Sequence, residues 1–277
     1  MTIALIDNGS LEPAATRNLR AVAAVLSQQA GVPVHAVSWK HSDRIAPDAL
    51  DGERAHTLAS FVRAQFERGE REFVFVPFFI SAQGAIGSAL RGDLEKLQRE
   101  CAAAPGAGAG FDFTFTFTDG LATRGAIPAI VAGRIRETIT ARALRRPPVL
   151  LVDHGGPSPA SAAIRDRVAT EVRTLLGDEI GPLEATSMEG EAYAHNRPLL
   201  ADALTTSDYG HSEVVIAPLF LSPGRHAGPK GDLAQIARIA EDRSSTLRCH
   251  FTELVGTHPR AGDTLAEALH AHLFSRT

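Results

Sequence analysis

The sequence has few cysteines, no long hydrophobic run and no excess of positive charge. Cys101 and Cys249 lie far apart and form no CxxC pair, so we expect two structural free thiols rather than disulfides or a cysteine zinc site. The longest clean apolar run, near residues 214–221, is far shorter than the ~20 residues that cross a bilayer. The opening MTIALID is too short an apolar stretch for a secretory signal. We therefore expect a soluble, cytoplasmic protein with no membrane partner.

The charge balance and the missing phosphate motifs exclude further classes of function. Twenty-eight basic and 32 acidic residues give a net charge of −4, which argues against a nucleic-acid partner. Neither a GxxxxGK(S/T) loop nor a GxGxxG strand–turn–helix motif is present, which disfavours a nucleotide- or phosphate-using enzyme. The content of 44% hydrophobic and 22% charged residues is that of a globular protein, and 277 residues suit two domains.

The chain contains an internal repeat. Residues 4–10 (ALIDNGS) match residues 150–156 (LLVDHGG), and residues 73–81 (FVFVPFFIS) match residues 214–222 (VVIAPLFLS). A similar four-residue motif follows residues 73–81 and residues 214–222: RGDL in the first half and KGDL in the second. Self-similarity of this kind is typical of a duplicated structural unit, so we predict two similar lobes.

The order of elements predicts the fold class. Apolar runs such as VLLVD are typical of parallel strands buried on both faces, and they alternate with stretches of helical spacing. We therefore predict an α/β protein with two doubly wound, four-stranded parallel-sheet lobes, 1–146 and 147–277, joined at the prolines of residues 143–148. The predicted strands are 3–7, 34–38, 73–77, 113–117, 149–153, 183–187, 214–218 and 249–255. The predicted helices are 13–30, 53–69, 88–101, 125–144, 159–177, 194–206, 230–242 and 261–274, with a flexible loop at 102–110.

Reactive side chains follow three predicted strands of the second lobe. His154 follows the first strand, Glu189 the second and His226 the third. Ligands of open α/β sheets bind beyond the carboxyl ends of the strands, so we expect these side chains to converge there. Neutral imidazole binds Fe, Co, Ni, Cu and Zn, and a carboxylate can complete such a site. The pattern predicts a metal site on His154 and His226, with Glu189 or, alternatively, Glu191 as its acid.

The first lobe lacks this set of side chains. Asn8 stands in the position of His154, and Lys40 lies near that of the acid. Residues 82–87 contain no counterpart of His226. We therefore expect one site per chain, carried by the second lobe.

Three basic residues are predicted near the same edge of the sheet: Arg225, Lys230 and Arg197. Lys230 begins a predicted helix, whose free N–H groups and dipole favour an anion. These side chains suit the carboxylates of a ligand. Solvated surface charge is the alternative interpretation of each one.

These motifs together resemble the class II tetrapyrrole chelatases, and more narrowly the sirohydrochlorin cobalto- and ferrochelatases of cobalamin and siroheme synthesis. The resemblance is carried by residues 150–156 (LLVDHGG), residues 214–222 (VVIAPLFLS) with 224–226 (GRH), and residues 255–259 (VGTHP). It extends throughout the second half, whereas the first half matches only in pattern. One departure is the Gly-Gly after His154, where Gly-Ser is common in the family.

The resemblance implies a lyase that inserts a divalent metal, Co²⁺ or Fe²⁺, into sirohydrochlorin or a related tetrapyrrole. It implies His154 and His226 as the metal-binding pair, Glu189 as the acidic residue, and a macrocycle held in a cleft between two lobes. No permanent cofactor is implied, because the metal is a substrate. Since short family members pair as dimers, the expected state of this two-lobe chain is a monomer or a homodimer.

A rival hypothesis is a non-catalytic protein of the same fold that binds a metal or a metallated tetrapyrrole. Such a protein would keep His154 and His226 but could dispense with Glu189. Bound ligand without product would favour this alternative.

Overall fold

The structure is a computed structural model that describes residues 1–80, 85–103 and 112–275. Its strands are β1 Thr2–Asp7, β2 Val34–Ser38, β3 Glu72–Pro77, β4 Thr114–Phe117, β5 Val149–Asp153, β6 Leu183–Ser187, β7 Glu213–Pro218 and β8 Arg248–Phe251. Its α-helices are α1 Pro13–Ala30, α2 Leu58–Glu67, α3 Ala85–Ala102, α4 Ala126–Arg142, α5 Pro159–Leu176, α6 Leu200–Ala203, α7 Asp232–Arg243 and α8 Pro259–Phe274. Short 3-10 helices lie at Ser42–Arg44, Pro47–Leu50, Gly177–Glu179, Ala194–Asn196 and Val255–Thr257.

The strands form two parallel sheets of the same topology. The first sheet has the order β2-β1-β3-β4 and the second the order β6-β5-β7-β8. The repeat is also preserved in register, because Asp7 pairs with Ser38 in the first sheet and Asp153 pairs with Ser187 in the second. The predicted fold class, an α/β protein with two four-stranded parallel-sheet lobes, is confirmed.

The local sequence explains why each central strand is followed by a helix at the same place. β1 and the first four residues of β5 are buried, as the continuous apolar runs predict. Pro13 and Pro159 then occupy the first turn of α1 and α5, where a missing N–H leaves no helical hydrogen bond unmade. The segment between each strand and its helix is therefore short, and it lies at the carboxyl end of the sheet.

The chain divides into two compact units, and this division differs from the predicted one at residues 146 and 147. The first unit comprises Met1–Arg124 and Pro259–Thr277, and the second comprises Gly125–His258. Helix α8 thus packs on α1 of the first unit, whereas α4 packs on α5 and β7 of the second. Gln29 of α1 donates a hydrogen bond to Asp263 of α8 at 2.8 Å, for example. Helical periodicity shows that a face must be buried but not which sheet buries it.

Other predicted elements begin or end differently in the structure; the predicted helix 53–69, for example, is the shorter α2, Leu58–Glu67. The predicted helix 194–206 is a 3-10 turn followed by the short α6, because Pro198 has no N–H to donate and Leu199 forms a bridge to the end of β6. Helix α7 begins at Asp232 and not at Lys230. β8 ends at Phe251, before the predicted residue 255.

Several further predictions concern the thiols, the membrane and the loop at 102–110. Cys101 and Cys249 are both free, as predicted. No helix in the described part of the chain is both long and apolar enough to cross a membrane. Most of the predicted loop at 102–110 lies outside the described residues. The same holds for residues 82–84, part of the segment that lacks a counterpart of His226.

Candidate functional site

Two histidine rings meet at the carboxyl end of the second sheet. His154 follows β5 directly, and His226 lies in the segment between β7 and α7. Their ring centroids are 4.7 Å apart, and the ring planes are nearly perpendicular at 88°. The structure therefore brings together two side chains that the sequence predicted to converge from separate strands.

The hydrogen bonds of the two rings determine which nitrogen is free. Nδ1 of His154 lies 2.9 Å from the carbonyl oxygen of Gly155, and Nδ1 of His226 lies 2.6 Å from Oδ2 of Asp232. Since a carbonyl and a carboxylate oxygen accept hydrogen bonds, Nδ1 carries the proton in both neutral rings. Nε2 then presents its lone pair, and a carboxylate or carbonyl on the opposite nitrogen is the usual support of a metal-binding histidine.

Main-chain hydrogen bonds join the segment after β6 to the segment that carries His154. The Glu189 N–H donates to the carbonyl oxygen of His154 at 3.2 Å, and the Met188 N–H donates to that of Asp153 at 2.8 Å. Gly155 has a φ of +82°, and a β-carbon at this position would collide with the carbonyl of Glu189. Only glycine permits this close approach, which sets the direction in which His154 leaves the strand.

The two candidate acids are placed differently. Oε1 of Glu189 lies 3.5 Å from Nδ1 of His154, and the Glu189 side chain is 56% exposed. Glu191 is exposed, and its carbonyl oxygen accepts a hydrogen bond from Arg197 at 3.3 Å. Within residues 1–80, 85–103 and 112–275, no group of three or more His, Cys, Asp or Glu side chains is arranged to hold a metal. The donor set at this edge of the sheet is therefore a pair of imidazoles with one acid beside it.

The three predicted basic residues occupy different surroundings. Arg225 is 82% exposed, with Nε 3.9 Å from Oδ2 of Asp232. Arg197 is bonded to Asp202 at 3.1 Å, so its guanidinium already has a carboxylate partner. Lys230 is exposed and precedes α7 by two residues, so the expected placement at the start of the helix is wrong. Arg225, which neighbours His226 in sequence, is the basic side chain that the structure links to the histidine pair through Asp232.

A buried polar network lies behind His154, and the sequence analysis missed it. The Ser187 hydroxyl donates to Oδ1 of Asp153 at 2.6 Å, and Arg165 donates to the Ser187 hydroxyl. Burial raises the pKa of the Asp153 carboxyl, while the Ser187 hydrogen bond and the Arg165 charge act against this. Arg165 occupies the buried face of α5, and a charged residue within an apolar helical stripe was the signal that could have revealed it.

The equivalent position in the first unit is built differently. Asn8 replaces the histidine, and Lys40 lies 3.8 Å from Asp93 and 4.1 Å from the centre of the Trp39 ring. Among the residues that the structure describes, no cation pairs with the buried Asp7 as Arg165 does with Asp153, and burial raises the pKa of Asp7 to about 6. The imidazole pair is thus confined to the second unit among the described residues.

Comparison with known proteins supports this assignment of the fold. Residues 148–271 match the family model CbiX. No curated protein sequence matches the chain. The solved structure of SirB from Bacillus subtilis with Fe3+ has a TM-score of 0.66 at 14% identity, over 97% of this chain and 94% of that one.

Two further solved structures show the same fold. CbiX, described as the terminal enzyme for biosynthesis of siroheme in denitrifying bacteria, has a TM-score of 0.59 at 16% identity, over 98% of this chain and 99% of that one. The sirohydrochlorin chelatase SirB from Bacillus subtilis subspecies spizizenii in complex with cobalt has a TM-score of 0.62 at 12% identity, over 97% and 94%. The predicted resemblance to the class II chelatase family is confirmed. Within this chain, the CbiX sequence pattern covers the half that contains His154 and His226.

Proposed function

We propose that this protein is a chelatase that inserts a divalent metal, Co²⁺ or Fe²⁺, into sirohydrochlorin or a related tetrapyrrole. The observation that carries the proposal is the pair His154 and His226, whose rings lie 4.7 Å apart with both Nδ1 atoms hydrogen-bonded. The CbiX match over the same half of the chain supports it. Solved structures of the same fold contain Fe3+ in one case and cobalt in another, so the proposal covers both metals.

Two imidazole ligands suit a metal that is transferred to the macrocycle rather than kept by the protein. Neutral imidazole is a good ligand for both Co²⁺ and Fe²⁺. Structural metal sites are usually closed by four protein ligands, whereas a site that exchanges ligands keeps positions open. Two imidazoles leave those positions for water and then for the nitrogens of the macrocycle. His154 and His226 would therefore hold the metal substrate until the macrocycle replaces its remaining water.

Metal insertion also requires proton removal. Two pyrrole N–H protons leave the macrocycle as one M²⁺ enters, so the reaction releases two protons. Glu189 is a suitable acceptor because its carboxylate is exposed and lies 3.5 Å from Nδ1 of His154. Its exposure allows the proton to pass to solvent, which restores the carboxylate for the second transfer.

The carboxylates of the tetrapyrrole need cationic partners. Arg225 is the best placed, because its guanidinium is 82% exposed and has a single carboxylate 3.9 Å away. Lys230 is exposed nearby in sequence and is the second choice. Arg197 is the weakest of the three, because Asp202 and the carbonyl of Glu191 already bind it.

Anaerobic insertion of Co²⁺ and Fe²⁺ into sirohydrochlorin, followed by absorbance, tests the proposal. We expect the wild type to exceed the uncatalysed rate and the variants His154→Ala and His226→Ala to lose that acceleration. His211→Ala is the matched control, since His211 is an exposed histidine of the same unit. Metal and tetrapyrrole binding without acceleration by the wild type would contradict the chelatase assignment and favour a binding protein.

A further inference from the structure

Arg165 is a buried cation with several acceptors and no contact with either histidine ring. Its side chain is 3% exposed, and Nη1 donates to the Ser187 hydroxyl and lies 3.7 Å from Oδ1 of Asp153. Nη2 donates to the carbonyl oxygen of His195 at 3.0 Å. A guanidinium presents five N–H donors in a rigid fork, so it can bind separate acceptors at fixed angles. Arg165 therefore joins the end of β6 to the segment before α6.

Both branches of this network lead to the segment that carries His154. On one side, Ser187 donates to Asp153, the residue before the histidine, at 2.6 Å. On the other, Nε2 of His195 lies 2.9 Å from the carbonyl oxygen of Gly156, two residues after the histidine. Because that carbonyl accepts, His195 is the donor. His154 is consequently held from both sides by side chains that meet at one guanidinium.

The first unit shows that the fold does not need this arginine. Leu19 stands six residues after the proline that begins α1, as Arg165 does after the proline that begins α5. The main-chain pairing behind the strand is nonetheless the same, since the Trp39 N–H donates to the carbonyl of Asp7 at 2.8 Å. A cavity of about 520 Å³ has Leu19 and Ser38 in its lining.

We propose that Arg165 is a positioning residue for the metal site, which holds the His154 segment in the orientation needed for Nε2 to reach the metal. It acts through Asp153 and Gly156 and does not touch the metal. The arginine occurs in the unit with the imidazole pair and is replaced by Leu19 in the unit without it. The inference rests on the proposed function for the identity of the metal site.

Binding of Co²⁺, measured by visible absorbance under anaerobic conditions without any tetrapyrrole, tests this role. Outer partners of metal ligands typically contribute roughly 10–100-fold in affinity, and we expect Arg165→Met to lose that much and to alter the Co²⁺ ligand-field bands. Arg165→Lys is expected to recover part of the loss, because an ammonium restores the charge but not the fork. Arg167→Met is the matched control, since Arg167 lies on the same helix, is 63% exposed and forms an ion pair with Glu171 at 3.8 Å.

A second variant separates positioning from folding. Ser187→Ala removes the link to Asp153 and leaves the bond from Arg165 to His195, with little change in volume. We expect a smaller loss of Co²⁺ affinity in the same direction, with an unchanged circular dichroism spectrum. Wild-type affinity and bands in folded Arg165→Met and Ser187→Ala would overturn the positioning role. If instead the wild type binds Co²⁺ no better than His154→Ala, the proposed metal site itself is wrong.

Discussion

Nδ1 of His226 lies 2.6 Å from Oδ2 of Asp232, the first residue of α7. The carboxylate fixes the tautomer and the orientation of the ring, so that Nε2 presents its lone pair. It also lies 3.9 Å from the guanidinium of Arg225. One side chain thus links the histidine pair to the basic residue that we assign to the tetrapyrrole carboxylates.

Replacing this carboxylate should weaken metal binding. We expect Asp232→Asn to lower Co²⁺ affinity roughly tenfold and Asp232→Ala by up to about 100-fold, the usual range for such outer partners. Calorimetric titration with Co²⁺ measures the effect. Asp242→Asn, in the last turn of the same helix, is the control for a lost surface carboxylate. Equal affinity in Asp232→Ala and wild type would show that the contact does not support the ligand.

The two neighbouring acids allow a sharp test of the proton acceptor. Glu189→Gln should lower kcat by roughly 100-fold, within the usual contribution of a general base, while Co²⁺ affinity changes little. Glu191→Gln should keep wild-type turnover, because only Glu189 has its carboxylate beside His154, at 3.5 Å. Steady-state rates of metal insertion distinguish the two. A larger loss in Glu191→Gln than in Glu189→Gln would reverse the assignment.

The exposed and the paired arginine should differ in their effect on the tetrapyrrole. Arg225→Gln is expected to raise KM for sirohydrochlorin by about 1.4- to fivefold, because an exposed ion pair contributes about 0.2–1 kcal/mol. Arg197→Gln should have a smaller effect, since Asp202 already binds that guanidinium. Initial rates at varied tetrapyrrole concentration measure both. A larger rise for Arg197→Gln would favour that residue as the anchor.

Asp7 should make the stability of the protein depend on pH. Burial raises its pKa from 3.8 to about 6, so between these values the folded protein binds a proton that the unfolded chain has released. Stability therefore falls as pH rises from about 4 to about 6 and stays lower above that range. The shift corresponds to at most about 3 kcal/mol, since one pKa unit is 1.36 kcal/mol.

The substitution Asp7→Asn keeps the shape of the side chain and removes its charge. We expect the variant to be more stable than the wild type at pH 7.5 and equally stable near pH 4, as measured by urea unfolding at each pH. Asp48→Asn, which changes an exposed carboxylate of the same unit, should leave the pH profile unaltered. A variant less stable than the wild type at pH 7.5 would show that the ionised carboxylate stabilises the fold.

Strand positions were predictable because burial on both faces imposes a continuous apolar run. The predicted and observed strands 149–153 and 183–187 coincide, and β1 differs by one residue at its start. The convergence of His154 and His226 followed from the same runs, because parallel strands bring their carboxyl ends to one edge. Local sequence rules are therefore sufficient for the sheet and for the part of the site built directly on strand ends.

The packing partners of helices, and helix ends set by contacts with distant residues, were not predictable from the sequence. The periodicity of α4 and α8 indicated a buried face, yet each packs in the unit that contains the other half of the repeat. The predicted helix 194–206 was interrupted because Leu199 bridges to Ser187 of β6. Such choices are made by contacts between residues far apart in the chain.

The sequence by itself determined the duplicated α/β architecture, the confinement of the two strand-end histidines to one half, and the resemblance to the chelatases. Short-range patterns carry that information, since burial and turn formation act on neighbouring residues. Only the tertiary structure decided that Asp232 supports His226, that Glu189 rather than Glu191 lies beside His154, and that Arg165 lies beneath the His154 segment. Hydrogen bonds and ion pairs form only between groups a few ångströms apart, and packing across elements sets those distances.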